Sequence, residues 1–139
     1  MIALDTSVAV AAFAPWHTLH RDAVATLGEG ARLPAHAALE TFAVLTRLPP
    51  PHRAPAGAVS RWLAERFPAP WLTLAPAGYR RILEAVAGGG LGGGAIHDAA
   101  LAATALEHGA TLVSADRRAK PVYELIGVEV DYLPAPPAR

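Results

Sequence analysis

The sequence predicts a single α/β domain with a parallel β-sheet of about five strands and helices on both faces. Three observations lead to this prediction. Short apolar runs alternate along the chain with longer segments of helical pattern, which is typical of βαβ units. The chain has 139 residues, the size of one ordinary domain. Hydrophobic residues make up 53% of it and charged residues 17%, which is enough apolar material for a substantial core.

The first half of the chain begins with Ile2-Ala3-Leu4, an apolar run of the length of a buried strand. Ser7 is expected to cap the helix that follows it. The three prolines at 49–51 stop a later helix, because a proline ring cannot continue one. In order, the segments predicted here are a strand at 2–4, helices at 8–13 and 18–27, a weak strand at 32–33, and helices at 35–48 and 55–67.

The second half continues the same alternation. Gly109 follows a helical segment at the position where helices often end in a left-handed glycine. No internal repeat or linker divides the sequence, so we expect one domain over residues 1–133 and a proline-rich tail at 134–139. The segments predicted here are strands at 71–74, 111–114 and 128–132, helices at 76–86, 96–108 and 120–126, and a glycine-rich loop at 88–94.

The composition excludes several classes of protein. The formal net charge is zero, which counts against tight non-specific binding to a long duplex, although a local basic patch remains compatible with it. The absence of cysteine excludes disulfides and thiolate metal sites. Asp5 interrupts the first apolar run and no stretch reaches the ~18 apolar residues of a membrane span, so we expect a cytoplasmic protein with no membrane contact.

Two carboxylates lie on predicted helices whose other side chains are mostly apolar. Glu40 belongs to the helix at 35–48, which is apolar almost all round and is therefore expected to be largely buried. Asp98 stands in the first turn of the helix at 96–108, next to a run in which Thr104 is the one polar side chain before Glu107. A buried carboxylate is costly unless it is protonated, paired or bound to a metal ion. Both residues therefore indicate a functional site.

Two further carboxylates follow predicted parallel strands. Asp5 comes directly after the first strand, and Asp116 comes two residues after Ser114. Sites in open parallel sheets form in the crevice beyond the carboxyl ends of the strands, so these acids and the two helix acids are expected to meet there. Four carboxylates repel one another unless a cation lies between them. Oxygen ligands favour Mg²⁺ or Mn²⁺ over Zn²⁺.

The ordered set of these segments resembles the PIN domain family, and within it the VapC-type ribonuclease toxins of toxin–antitoxin pairs. The resemblance covers essentially the whole chain, and no single piece of it is specific. One departure is His97, where the family more often has Tyr or Phe, and this concerns substrate contacts rather than the acids. The segments that carry the resemblance are Asp5-Thr6-Ser7, Glu40 on its apolar helix, the run at 93–99 that contains Asp98, the run at 111–116 that ends in Asp116, and the run at 123–128.

The resemblance implies an endoribonuclease that hydrolyses RNA with the help of Mg²⁺ or Mn²⁺. In this reading Glu40 orients or deprotonates the attacking water. Asp5 and Asp98 chiefly hold the ion, and Asp116 is a ligand either directly or through a water molecule. By resemblance, the catalytic residues are Asp5, Glu40, Asp98 and Asp116, the metal ligands are Asp5, Asp98 and Asp116, and the substrate-binding candidates are Ser7, Ser114 and Arg117, with Arg118 as an alternative to Arg117.

The resemblance also implies two protein partners, a second copy of the chain and a VapB-type antitoxin. An exposed apolar patch on the early helices would suit either contact, and Phe13, Trp16 and Leu19 are its expected members. The sequence names neither the RNA that is cut nor the number of metal ions.

Other interpretations stay open beside this one. Asp5 or Ser7 could simply cap the first helix, Asp116 could cap a turn, and Glu40 could pair with an arginine such as Arg47. A non-catalytic PIN-like module that binds RNA or a protein is the alternative function, although the complete set of acids argues against it.

The sequence argues against a phosphatase, against a receiver domain of two-component signalling and against a metal site formed by histidines of one helix. A haloacid-dehalogenase phosphatase would need an Asp where Ser7 stands, and a receiver domain would need an Asp after a central strand. The six histidines include no pair at a metal-binding helical spacing, and His17 and His20 are expected at the surface.

Overall fold

Three parallel strands form the centre of the protein in a computed structural model, which describes residues 1–28 and 30–134. The strands are β1 (Ile2–Leu4), β2 (Thr111–Ser114) and β3 (Val130–Tyr132), and their order in the sheet is β1-β2-β3. Ala3 pairs with Leu112, and Leu112 pairs with Val130. All three carboxyl ends therefore lie at the same edge of the sheet.

Two more of the predicted strands join this sheet only through isolated bridges. Ala3 forms a parallel bridge with Arg32, and Pro34 forms one with Leu72. Proline has no backbone N–H to donate, so the segment around Pro34 cannot extend into a regular ladder. Five segments thus run in parallel, as the sequence predicts. Three of them are regular strands, and the other two pair only through the isolated bridges.

The helices correspond closely to the predicted ones. The first helix includes Thr6 and is capped by Asp5 rather than Ser7, because the Asp5 carboxylate accepts a hydrogen bond from the backbone N–H of Val8. A short 3-10 turn, Arg117–Ala119, precedes the last helix. The helices are α1 (Thr6–Phe13), α2 (His20–Leu27), α3 (Ala35–Arg47), α4 (Ala56–Arg66), α5 (Pro76–Gly88), α6 (Ala95–Glu107) and α7 (Lys120–Ile126).

The hydrophobic core lies on both faces of the sheet. Successive strand residues point to opposite faces. Leu4 and Val113 accordingly pack with the early helices, whereas Ala3 and Leu112 pack with residues of α6 and α7. A third cluster joins α5 to α6 and α7. The predicted α/β class, with helices on both faces, is confirmed.

Two expectations about burial are wrong. Helix α3 buries one face and exposes the other, where Leu39 is 68% exposed, because its neighbours cover only part of its circumference. In the expected apolar patch, Leu19 is buried and Phe13 packs edge-to-face on Trp62, which leaves Trp16 as its one largely exposed side chain.

Most of the predicted tail at 134–139 lies outside the described residues, which end at Pro134. Within the described part of the chain, no helix combines the length and the apolar character needed to cross a membrane.

Candidate active site

All four predicted acids line one crevice of about 400 Å³ at the carboxyl ends of β1 and β2. Asp5 enters it directly from the end of β1, and Asp116 enters from the loop after β2. Glu40 reaches it from the middle of α3, and Asp98 from the first turn of α6. Residues far apart in the sequence therefore meet because the strand ends and two helices border the same space.

Asp5 is the most deeply buried of the four acids, with 2% of its surface exposed. One carboxylate oxygen accepts hydrogen bonds from the Ser7 hydroxyl at 2.5 Å and from the Val8 backbone N–H at 3.2 Å. The other oxygen accepts one from the Tyr123 hydroxyl at 2.8 Å. Burial raises the pKa of Asp5, and the hydroxyls of Ser114, Ser7 and Tyr123 oppose that rise. The carboxylate is therefore fixed in one orientation.

The Ser7 hydroxyl connects Asp5, at the end of β1, to the loop after β2. It donates to Asp5 and accepts a hydrogen bond from the backbone N–H of Ala115 at 2.9 Å. Ser7 therefore helps to set the position of Asp5 relative to the loop that carries Asp116.

Asp116 caps the 3-10 turn and also borders the crevice. Its carboxylate accepts hydrogen bonds from the backbone N–H and the Nε of Arg118, both at 3.1 Å. Its own backbone N–H donates to the hydroxyl of Ser114, which is fully buried. Asp116 and Asp5 therefore both cap a helical segment and also line the crevice.

Glu40 lies at the rim of the crevice, with its side chain 29% exposed. The Thr6 hydroxyl donates to its Oε1 atom at 2.8 Å. His36, one helical turn earlier on α3, has its Nε2 atom 3.9 Å from the same oxygen. Glu40 thus interacts with Thr6 and His36, rather than with the arginine that the alternative interpretation required.

The charges of the other three acids affect the pKa of Asp98. Burial raises its pKa to about 6, and the carboxylates of Asp116, Glu40 and Asp5 add to the rise. His97 acts in the opposite direction. This repulsion shows that the four acids are close enough to interact, as a site for a positive ion requires.

The donor set fits a hard divalent cation. Its charged donors are carboxylate oxygens, and hydroxyl groups hold two of them in place, as the outer contacts of metal ligands commonly do. Asp5, Asp98 and Asp116 are the residues that could hold such an ion, with Glu40 beside them at the rim.

The structure separates the predicted substrate-binding residues. Ser7 borders the crevice, but Ser114 is fully buried behind it. The Arg117 guanidinium lies over the ring of Tyr132, 4.9 Å from its centre, whereas Arg118 is the arginine that borders the crevice.

Sequence reasoning missed Tyr123 and Thr6 as parts of the site. Tyr123 is 1% exposed and its hydroxyl contacts Asp5 across most of the chain's length. A tyrosine directly after Val122 on the last helix was the available signal, because a buried tyrosine hydroxyl usually has a hydrogen-bond partner. Thr6 gave no signal, since its partner Glu40 lies on another helix.

The fold and the crevice together define an α/β protein with an acidic site at the carboxyl ends of a parallel sheet. The family model of the PIN domain matches residues 2–125. The chain is 47% identical to Ribonuclease VapC40 of Mycobacterium tuberculosis over 131 residues, which cover 94% of this chain and 98% of that protein. It is 42% identical to Ribonuclease VapC27 of the same organism, over 93% of this chain and 94% of that protein. The chain therefore belongs to the PIN domain family, with VapC proteins among its relatives.

Solved structures show the same fold at lower sequence identity. FitAcB from Neisseria gonorrhoeae superposes with a TM-score of 0.67 at 23% identity, over 94% of this chain and 96% of that one. VapBC2 from Rickettsia felis superposes with a TM-score of 0.66 at 14% identity, over 96% and 100%. The fold and family predicted from the sequence are both confirmed.

Proposed function

We propose that this protein is a metal-dependent endoribonuclease and the toxin of a type II toxin–antitoxin pair, acting on RNA in the cytoplasm. The observation that carries this proposal is the meeting of Asp5, Glu40, Asp98 and Asp116 in one crevice. The relatives named as ribonucleases, which match nearly the whole chain, support the choice of RNA as substrate.

Asp5, Asp98 and Asp116 would hold Mg²⁺ or Mn²⁺. When bound, the ion supplies a lowered pKa for a coordinated water and neutralises negative charge on the phosphate oxygens. The three hydrogen bonds on Asp5 keep its carboxylate in place, and the backbone N–H and the Nε of Arg118 do the same for Asp116. Repulsion by the neighbouring carboxylates contributes to the raised pKa of Asp98. A bound cation would offset this repulsion and favour the ionised form of Asp98, which supports the assignment.

Glu40 is the proposed proton acceptor. Its Oε1 atom is engaged by Thr6, so the carboxylate is oriented while its other oxygen remains for a water molecule. As the water oxygen attacks phosphorus, Glu40 takes its proton, the bond from phosphorus to the leaving ribose oxygen breaks, and that oxygen takes up a proton from solvent. Partial exposure at the rim gives Glu40 access to solvent water.

Contacts with the RNA backbone would come from the rim of the crevice. We assign Arg118 to this role ahead of Arg117, because Arg118 borders the crevice with 93% of its side chain exposed. Ser7 also borders the crevice and stays a candidate. Ser114, which is fully buried, would act by positioning Asp116 instead of touching RNA.

The proposal includes an antitoxin and a second copy of the chain as partners. The Rickettsia felis structure is of VapBC2 bound to a DNA fragment from their promoter, which supports a protein partner for a chain of this fold. Exposed leucines, including Leu83 and Leu125, provide apolar surface for such contacts.

The test is cleavage of total cellular RNA by the purified, antitoxin-free protein in Mg²⁺, in Mn²⁺ and in EDTA, beside the Asp98→Asn variant. Asp131→Asn is the matched control, because it makes the same chemical change at an exposed position on β3. We expect cleavage in metal that is absent in EDTA, lost in Asp98→Asn and retained in Asp131→Asn.

An absence of cleavage over a broad set of RNAs, by protein that is folded and loaded with metal, would overturn the general ribonuclease and favour the non-catalytic module. Cleavage that persists in EDTA, or in Asp98→Asn, would reject the assigned site.

A further inference from the structure

Two histidines and one of the acids form a second cluster at the rim of the crevice. The Nε2 atom of His36 lies 2.9 Å from the Nδ1 atom of His97, and 3.9 Å from Oε1 of Glu40. One ligand atom from each of the three residues lies within 4.8 Å of the others. The cluster borders a shallow pocket that also contains Leu39 and Arg47.

Helix geometry and tertiary packing both contribute to this cluster. His36 and Glu40 are four residues apart on α3, so their side chains lie on the same face of the helix. His97 comes from the first turn of α6, 61 residues after His36. The histidines are therefore not a pair within one helix, and only the contact between α3 and α6 brings them together.

The distances are close to those of a metal site. In a tetrahedral zinc site with bonds of about 2.0–2.1 Å, neighbouring ligand atoms are about 3.3 Å apart. The separations of 2.9 Å and 3.9 Å lie on either side of this value, and the third, between Glu40 and His97, is no more than 4.8 Å. Small side-chain movements would therefore make the three atoms equidistant from an ion. In the hydrogen bond between the rings, one facing nitrogen offers a lone pair and the other carries a proton. When zinc binds, that proton moves through solvent to the outer nitrogen of the same ring, so that both facing nitrogens offer a lone pair to the ion.

The donor chemistry differs from that of the acidic crevice. Imidazole nitrogens suit Zn²⁺ and similar transition metals, whereas carboxylates alone suit Mg²⁺ and Mn²⁺. Zinc sites in proteins include a ligand set of two histidines and one glutamate, with an open position for water. Thr6 holds the Glu40 carboxylate, which is the outer contact that such ligands usually have. His97 is exposed, so an ion can enter from solvent.

We propose that His36, Glu40 and His97 form a binding site for Zn²⁺, distinct in its donors from the acidic crevice and joined to it through Glu40. A zinc ion there would occupy the Glu40 carboxylate. As a consequence that rests on the proposed function, the ion would slow RNA cleavage, because Glu40 could no longer accept a proton from water.

The binding test needs no activity. Zinc is titrated calorimetrically into tag-free protein in excess Mg²⁺, and Co²⁺ is added separately to record the visible absorption of a tetrahedral nitrogen–oxygen site. The variants are His36→Gln and His97→Gln. His108→Gln is the matched control, since the Nε2 atom of His108 contacts the Thr73 carbonyl away from the cluster. Asp98→Asn tests whether the acidic crevice is the true site, and circular dichroism checks the folding of each variant.

We expect one tight zinc site per chain and a tetrahedral cobalt spectrum. Both histidine variants should weaken zinc binding by at least about tenfold and lose the spectrum. The His108→Gln and Asp98→Asn variants should retain both signals. Folded protein that binds no zinc, or binding that is unchanged in His36→Gln and His97→Gln, would overturn the site.

The inhibitory consequence is tested separately, as the ratio of cleavage with and without zinc in each protein. This ratio should fall in the wild type and stay near one in His97→Gln. An inactive protein that still binds zinc through its histidines would contradict the ribonuclease proposal and leave the zinc site intact, so the two failures are distinguishable.

Discussion

Asp98 and Asp5 lie in the same crevice, but their carboxylates have different surroundings. Three donors hold Asp5, and their hydrogen bonds oppose the effect of its burial. Asp98 instead faces the charges of Asp116, Glu40 and Asp5, which together with burial raise its pKa to about 6. Asp5 is thus held in place by its donors, whereas Asp98 faces three like charges that a bound cation would offset.

Replacing Asp98 with Asn should stabilise the metal-free protein at pH 7.5. The ordinary pKa of this carboxyl is 3.8, and the folded protein raises it to about 6. The folded state therefore holds a proton that the unfolded chain releases between about pH 4 and pH 6, so the free energy of unfolding falls as pH rises through this window. Allowing for solvent screening, we expect a gain of about 1–2 kcal/mol in Asp98→Asn above pH 6 and little change at pH 4.

Thermal unfolding in EDTA across this pH range measures the effect. The Asp131→Asn variant, at an exposed position, should show no such pH-dependent gain. An Asp98→Asn variant that is equally stable or less stable than the wild type at pH 7.5 would show that the carboxylates do not repel one another as described.

Replacing Tyr123 with Phe should destabilise the protein by about 1–3 kcal/mol, because a buried carboxylate loses one of its donors. The side chain is 1% exposed, so water cannot readily replace the hydroxyl. Urea unfolding measures the loss. The control is Tyr79→Phe, where the side chain is 52% exposed and the change should be close to zero. Equal stability of the two variants would contradict the importance of the Tyr123 hydroxyl.

At the scale of single elements, helix ends follow local rules and helix faces do not. Asp5 caps α1 and Gly127 ends α7 in the left-handed conformation, with φ at 87°. Both features depend on residues adjacent in sequence. The exposed face of α3, in contrast, depends on where neighbouring helices end, so its apolar sequence predicted more burial than it has. Helix α6, whose neighbours surround it more fully, buries all the side chains from Ala99 to Ala102.

Replacing Gly127 with Ala should cost about 1 kcal/mol, because an L side chain is disfavoured at positive φ. An added Cβ there would meet nothing within 4 Å, so the backbone conformation alone is responsible. Gly57→Ala in α4 is the matched control, since that Cβ also meets nothing and the residue is helical. Chemical denaturation should show Gly57→Ala to be stabilising by about 0.5–1 kcal/mol. A loss of stability in both variants would point to a general effect of the added methyl group instead.

At the scale of the whole molecule, the site depends on a core that holds two strand ends and two helices in register. Asp5 follows β1 and Asp116 follows β2, and the parallel pairing of Ala3 with Leu112 places both acids at one edge. The core cluster that contains Leu4 and Leu45 then fixes α1 and α3 over the sheet. Geometry at the crevice is therefore a property of the entire fold.

Replacing Leu45 with Ala should lower the free energy of unfolding by about 2–5 kcal/mol, because it opens a cavity in this core. The control is Leu39→Ala on the same helix, where the side chain is 68% exposed and the change should stay within about 0.5 kcal/mol. Guanidinium unfolding monitored by circular dichroism compares them. Similar losses in both variants would mean that α3 buries a different face from the one described.

The sequence by itself determined the class of fold, the approximate bounds of the helices and the four acids of the crevice. These follow from local patterns, namely apolar runs, proline and glycine stops, and carboxylates where apolar residues are expected. It also predicted five parallel segments, but it did not distinguish regular strands from isolated bridges.

Only the tertiary structure decided which side chains touch. The hydroxyl of Tyr123 reaches Asp5 across 118 residues of sequence, the Ser7 hydroxyl meets the Ala115 backbone across 108, and His36 meets His97 across 61. Such contacts have no periodic signature, because they depend on how the strands are paired and how the helices cross. For that reason the acids of the crevice could be predicted from the sequence, whereas the hydroxyls that hold two of them and the histidines beside them could not.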